Sequence, residues 1–273
     1  MALKLPTGCF PTEIVRSAQT AEFALTETAY APEVELPKHS HEEACFVIIL
    51  QGNFTETFGK RTRFCKPLDV IFRPSDEVHS DLFHRAGGRC LNVEMTPRWL
   101  ERIRTRSVAL KSSAYFRGGL LSQLALRLYK EFRGADAASS LATEGLMLQI
   151  AAEASRRSNG VSGHRPPPWL EEAREIIRAQ FASRLTHSFI AESVGVHPVH
   201  LAATFHQFYR CTIGEYVRRL RIEAACREMS TSDAPLARIA LAAGFYDQSH
   251  FSRLFKRFTG MTPARYRSLF RAP

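Results

Sequence analysis

Gln248, Ser249, His250, Ser252 and Arg253 crowd into six consecutive positions near the end of this 273-residue chain, with Lys256 and Arg257 one turn further on. Amide, hydroxyl, imidazole and guanidinium groups in one short run suit the edges of nucleobases, and the lysine and arginine that follow suit phosphates. A second chemically capable group lies in the first hundred residues: His39, His41, Cys45 and His79. Imidazole and thiolate ligate zinc, copper or iron, and they also line polar pockets. Three uses stay open for this group: a mononuclear metal site, the lining of a small-effector pocket, or histidines held by local hydrogen bonds with no ligand. The pocket is the reading adopted, with no metal, no cofactor and no catalytic residue assigned.

The basic run needs a helix to present it, and the chain writes the plan for one twice. Ile190-Ala191-x3-Gly195-x5-Leu201-x3-Phe205-x2-Phe208-x7-Tyr216 returns as Ile239-Ala240-x3-Gly244-x6-Phe251-x3-Phe255-x2-Phe258-x7-Tyr266, with one extra residue in the second turn. Each copy reads as a short helix, a tight turn at glycine and a longer helix, the plan of a helix-turn-helix. Leu201 with Phe205, and Phe251 with Phe255, stand four residues apart on one helix face, which is the face expected to be buried. Pro198 suits a first helical turn, and Asp247 suits the N-cap of the second copy. The opposite face of the first copy offers Val199, His200, Ala202, Ala203, His206 and Gln207. That face is less polar, so base reading is expected to lean on the second copy. Between the copies, Gly214 to Met229 reads as one helix of about 24 Å, a spacer that approaches the ~34 Å between successive major-groove faces. Arg218, Arg219, Arg221 and Arg227 are expected on its outer side.

Charge agrees with an acidic polymer as partner. The chain carries 37 Lys and Arg against 27 Asp and Glu, and from Trp169 onward fifteen stand against nine. Most of the positive excess therefore falls where the repeats are.

The stretch from Ala242 to Arg267, with Gly244, Phe245, Asp247, Phe251, Phe255, Gly260, Pro263 and Tyr266, resembles the signature of AraC/XylS-type transcriptional regulators. The resemblance covers roughly the last hundred residues. It implies a seven-helix domain whose two helix-turn-helix units enter successive major grooves, regulation through contact with RNA polymerase in some members and repression in others, and homodimers. One departure is Arg210, standing where the second copy has Gly260. A left-handed helix cap is less comfortable there without glycine.

Upstream, the first hundred residues read as short strands broken by turns: Ala44 to Leu50, Phe54 to Phe58, Val70 to Arg73 and Cys90 to Met95. A compact β-barrel is the economical architecture. Within it, His39-x-His41-x3-Cys45-x6-Gly52 and Pro74-x4-His79 resemble the two cupin motifs. A metal cupin has Glu where Cys45 stands, usually Gly at Asp76, and Asn at Phe83, so the resemblance is incomplete. Alternation along their strand places His39, His41 and Cys45 on the same face as Val47 and Ile49, so all three are expected to point into the barrel, where His79 can meet them. Two helices follow. One carries a wide stripe of Phe116, Leu120, Leu124, Leu128 and Phe132, with Leu121 and Tyr129 alongside, and the second runs from about Leu141 to Arg156. The stripe suits the barrel, a second subunit, or both.

The fold class expected is α+β in two domains. A cupin-like sensing and self-association domain spans residues 1–157, a Gly- and Pro-rich linker 158–168, and an all-α DNA-binding domain 169–273. The six cysteines form no CxxC pair, which suggests reduced thiols in a cytoplasm. No segment is long and apolar enough for a bilayer, so no membrane partner is expected. The function expected is a sequence-specific DNA-binding transcription regulator, responsive to a small effector through the barrel. The alternative is a cupin-type metalloenzyme tethered to nucleic acid by its basic tail, and Cys45 at the Glu position weighs against it.

Overall fold

A computed structural model describes residues 2–105, 110–159, 166–209, 211–259 and 261–270. The described residues divide into two compact units, 2–159 together with 270, and 166–269.

In the first unit two long strands carry the architecture. β5 (Ala44–Phe58) and β8 (His79–Met95) pair antiparallel from Ala44 opposite Met95 to Phe58 opposite His79. The sheet runs β1 (Leu3–Leu5), β4 (Glu35–His41), β8, β5, β7 (Val70–Arg73), β9 (Ala114–Phe116). β3 (Phe23–Tyr30) also pairs with β8, β2 (Glu13–Gln19) with β3, and β6 (Arg61–Cys65) with β5. The two strands expected at 44–50 and 54–58 are thus one bent strand. Its bend is at Gly52, where φ is +72° and a Cβ would lie 1.9 Å from the Gly87 carbonyl oxygen. Only glycine permits that approach, and the pairing register shifts on either side of it. The apolar face of the curled sheet packs Leu36, Val47, Ile49, Phe54, Ile71 and Phe83 together, with Cys45, Cys65 and Cys90 among them.

Helices α1 (Pro97–Arg104), α2 (Gly119–Arg133) and α3 (Ser139–Asn159) complete this unit. Leu121, Leu124, Leu128, Tyr129 and Phe132 are buried on α2, but Leu120 is 42% exposed. Of the apolar stripe expected on this helix, Leu120 is the member that the buried face leaves out. α2 is tied to the sheet through Glu27, a fully buried carboxylate that accepts from Tyr129 Oη at 2.9 Å and Arg133 at 3.2 Å. Arg89 completes its neutralisation at 2.7 Å.

The second unit holds seven helices among the described residues: α4 (Pro168–Gln180), α5 (His187–Ser193), α6 (Pro198–Tyr209), α7 (Ile213–Thr231), α8 (Leu236–Ala242), α9 (Gln248–Thr259) and α10 (Pro263–Phe270). Pro168, placed in the linker from composition, is the first residue of α4. Residues 160–165 of that linker, and Arg210 and Gly260, lie outside the described residues. None of the described helices is long and apolar enough to cross a membrane.

Candidate functional site

The two helix-turn-helix units are α5–α6 and α8–α9, and their turns use the same hydrogen bonds. Gly195 N donates to Glu192 O and Val196 N to Ala191 O; Gly244 N donates to Leu241 O and Phe245 N to Ala240 O. Both glycines adopt positive φ, +68° and +87°. The second helix of each pair then starts on a side-chain acceptor. His197 Nδ1 receives the Val199 N–H at 3.3 Å, and Asp247 Oδ1 receives the His250 N–H at 2.7 Å, the capping role expected of it.

Burial divides each reading helix into two faces. Leu201, Thr204 and Phe205 of α6, and Phe251, Phe255 and Thr259 of α9, are buried. Phe251 and Phe255 stack edge-on at 5.4 Å, and Phe255 meets Tyr266 of α10 at 5.3 Å. Gln248, Ser249, Arg253, Lys256 and Arg257 are exposed, Ser252 half-exposed. The His250 ring packs edge-on against Phe245 at 5.8 Å, so it is a half-buried shoulder of the surface. On α6, Val199, His200, Ala203, His206 and Gln207 are exposed and Ala202 half-buried. His200 lies 5.3 Å from the Trp169 ring.

α7 joins the units as a continuous helix, begun by a capping box in which Thr212 and Glu215 each bond the other's backbone N–H. Its arginines are not equivalent. Arg218 is exposed, whereas Arg221 Nε donates to Phe181 O at 2.8 Å and another of its nitrogens to Ser183 O at 2.9 Å. Arg221, expected outward, instead holds the loop after α4. Helical spacing alone does not distinguish a long side chain that reaches back to a carbonyl from one in water.

In the barrel the structure brings His39, His41 and His79 together and leaves Cys45 out. β4 ends at His41, and a bend at residues 42–43 separates it from β5, so Cys45 belongs to another strand. Period-two alternation does not carry across that break. Cys45 joins the apolar core, where burial pushes its thiol up to about 12. The three imidazole rings have centroids 4.3–5.4 Å apart. His39 Nδ1 donates to Pro37 O at 2.8 Å and His79 Nδ1 to Glu77 O at 3.0 Å. Burial, then the Arg73 charge, lowers His41 to about 3 and His79 further. Burial also lowers His39. All three are neutral near pH 7.

Sequence reasoning missed the charges beside them. Arg73, 4% exposed, donates through Nε to Glu56 at 2.7 Å and to both oxygens of Asp81 at 3.1–3.2 Å. Arg63 donates to the other Glu56 oxygen and to Ser113 Oγ at 3.0 Å. Asp81 Oδ2 lies 3.9 Å from His79 Nε2. Burial works to raise both carboxyl groups. Arg73 and Arg63 outweigh it at Glu56, which is held low, while Asp81 is pushed up to about 6. A signal was available: Arg73 follows Ile71, Glu56 follows Phe54, and Asp81 lies between His79 and Phe83, all two residues apart on inward positions. A separate cavity of about 240 Å³ touches Thr7, Phe23, Glu43, Glu94, Met95 and Thr96, and none of the histidines lines it.

Comparison with known proteins addresses both units. Residues 25–151 match the family described as the AraC-like ligand binding domain, and residues 190–268 match the helix-turn-helix domain family. The regulatory protein SoxS of Salmonella typhimurium is 35% identical over 78 residues, which are 29% of this chain and 73% of that protein. The arabinose operon regulatory protein of Escherichia coli is 26% identical over 217 residues, 75% of this chain and 73% of the relative. A bifunctional transcriptional activator and DNA repair enzyme of Bacillus subtilis, AdaA, is 31% identical over 101 residues, 37% of this chain. The chain spans about half of that relative's length (48%). Two helix-turn-helix units of matching construction, preceded by a curled sheet that matches a ligand-binding family, make this chain a member of the AraC/XylS family of transcription regulators.

Proposed function

We propose that this chain regulates transcription by binding specific double-stranded DNA through α6 and α9, under the control of a small effector taken up by the first unit. The observation that carries the reading is the division of α9. One face is buried by Phe251 and Phe255, and the other leaves Gln248, Ser249, Arg253, Lys256 and Arg257 free to meet DNA. Residues 1–157 are assigned to sensing and self-association, 158–168 to the linker and 169–273 to DNA. Homodimer formation is assigned to α2 and α3, where Leu120, Leu141 and Leu148 remain exposed. RNA polymerase contact belongs to the same reading, as does a cytoplasmic location. No enzymatic step is assigned. The repair activity in the name of the Bacillus subtilis relative belongs to a protein of which this chain spans about half.

A gel-shift titration against the chain's own upstream DNA, over a salt series, tests the DNA reading. Arg253→Ala is expected to cost about 1–3 kcal/mol on the cognate site and little on random DNA, as a lost base contact would. Arg257→Ala is expected to weaken all sequences alike and to lower the salt slope by about one, as a lost phosphate contact would. Equal losses on cognate and random DNA for Arg253→Ala would move it to the backbone. An unchanged salt slope for Arg257→Ala would remove its phosphate role.

A further inference from the structure

Two imidazole nitrogens in the barrel are buried without a partner, and they belong to one cluster. They are His41 Nδ1 and His79 Nε2. Leaving a buried polar atom unpaired is costly, so the pair calls for a ligand. His39 supplies a third nitrogen: its Nδ1 donates to Pro37 O, so its Nε2 carries the free lone pair. His79 is fixed in the same way, its Nδ1–H committed to Glu77 O. Hydrogen bonds of this kind to backbone carbonyls set the tautomer and ring orientation of histidines that ligate metals. One nitrogen from each of the three residues lies within 4.8 Å of the others.

We infer that His39, His41 and His79 form a binding site for one divalent transition-metal ion of the zinc or cobalt type. Ligand nitrogens about 2.0–2.1 Å from such an ion sit roughly 3.3 Å apart in a tetrahedron. The three must therefore close by about 1.5 Å or less from their present limit, a movement within reach of rotations about the side-chain bonds. Three neutral imidazoles are the donor set that borderline ions accept, whereas magnesium and calcium take oxygen. The protonation state is already right, because burial and Arg73 keep the rings uncharged. Asp81 Oδ2, 3.9 Å from His79 Nε2, adds negative charge beside the ion, and it forms a second close group with His79 and Glu56. Three protein ligands leave a fourth position for water or a small anionic ligand. The site does not depend on the DNA reading, because metal uptake is measured without DNA.

The test is titration of the full chain, freed of metal by a chelator, with Co2+ alone and then Zn2+ alone. Expected is one equivalent of Co2+ with visible d–d absorption and no thiolate-to-metal charge-transfer band, displaced by Zn2+. His41→Gln and His79→Gln should each weaken Co2+ at least about 100-fold, beyond the usual loss from a residue that only supports a ligand. His84→Gln should leave it unchanged. Absence of saturable uptake by the folded wild type overturns the proposal, as does a thiolate band or undiminished binding by either variant. Should a variant lack a cooperative melting transition, imidazole 15N NMR of the wild type decides. Zn2+ must shift two Nε2 signals from rings protonated at Nδ1 and one signal from a third ring, and shifts confined to other histidines overturn the site.

Discussion

Arg73→Met is expected to destabilise the first unit by about 3–5 kcal/mol, the usual result of removing one member of a buried ion cluster. Glu56 and Asp81 stand directly opposite each other in the β5–β8 ladder. Like charges in that position repel, and both residues are at most 4% exposed, so water screens them little. Arg73 bridges the two. Methionine fills much of its volume but leaves Asp81 without its cation and Glu56 with Arg63 alone. The deficit depends on pH with a definite sign. Asp81 already titrates near 6 when folded, against 3.8 for the ordinary group, and the variant raises it further. A carboxyl raised by folding costs nothing where it is protonated in both states. The penalty should therefore be smallest below about pH 4 and grow as pH rises through 6 toward 7. Urea unfolding followed by Trp99, fully buried in α1, reads this in a Trp169→Phe background. A loss below about 1 kcal/mol, or one that shrinks with rising pH, would mean that the cluster is not a coupled unit.

Gly244→Ala and Gly195→Ala should separate widely although the two glycines occupy equivalent turns. Each substitution places a side chain at positive φ, which costs roughly 1–2 kcal/mol. At Gly195 that is the whole cost, because a Cβ would meet nothing within 4 Å. At Gly244 the Cβ would lie 2.4 Å from Ala182 O and 2.7 Å from Ala182 Cα. These are backbone atoms of the loop whose Phe181 and Ser183 carbonyls accept from Arg221. Neither wall yields cheaply, and overpacking adds about 1–3 kcal/mol. A total near 3–4 kcal/mol is expected for Gly244→Ala, with faster amide exchange in α8 and α9 and loss of cognate DNA binding. Similar losses at both glycines would show that φ alone matters and that the Ala182 contact relaxes.

The second unit was legible because its periodicities are local. Each helix face repeats within four residues, and glycine and the capping residues mark the turns, so the buried pairs Leu201–Phe205 and Phe251–Phe255 could be read directly. The close approach of Gly244 to Ala182 could not, since sixty-two positions separate them in the sequence. The role of Arg221 was hidden for the same reason. In the first unit alternation gave inward positions correctly within a strand but failed at its ends. Cys45 was grouped with His39 and His41 because the bend at Glu42 and Glu43 has no glycine or proline to announce it. Glycine misled at Gly52, read as a break between strands, where it lets one strand bend against Gly87 and Gly88. The inward positions of Glu56, Arg73 and Asp81 were readable by the same alternation, but which carboxylates Arg73 joins follows from the pairing of strands distant in sequence.

The strand that carries His39 and His41 is not itself an edge. β1 lies parallel along it, with Leu3 beside His39, Lys4 beside Ser40 and Leu5 beside His41. The Leu5 carbonyl also accepts from Glu42 N at 3.0 Å. Three short residues thus cover a row of backbone donors and acceptors that would otherwise be open to any extended chain. Deletion of Leu3 to Leu5 would uncover a sticky ribbon along β4. Aggregation of a truncated preparation would then report strand recruitment between molecules, with the chemistry of the histidines still intact.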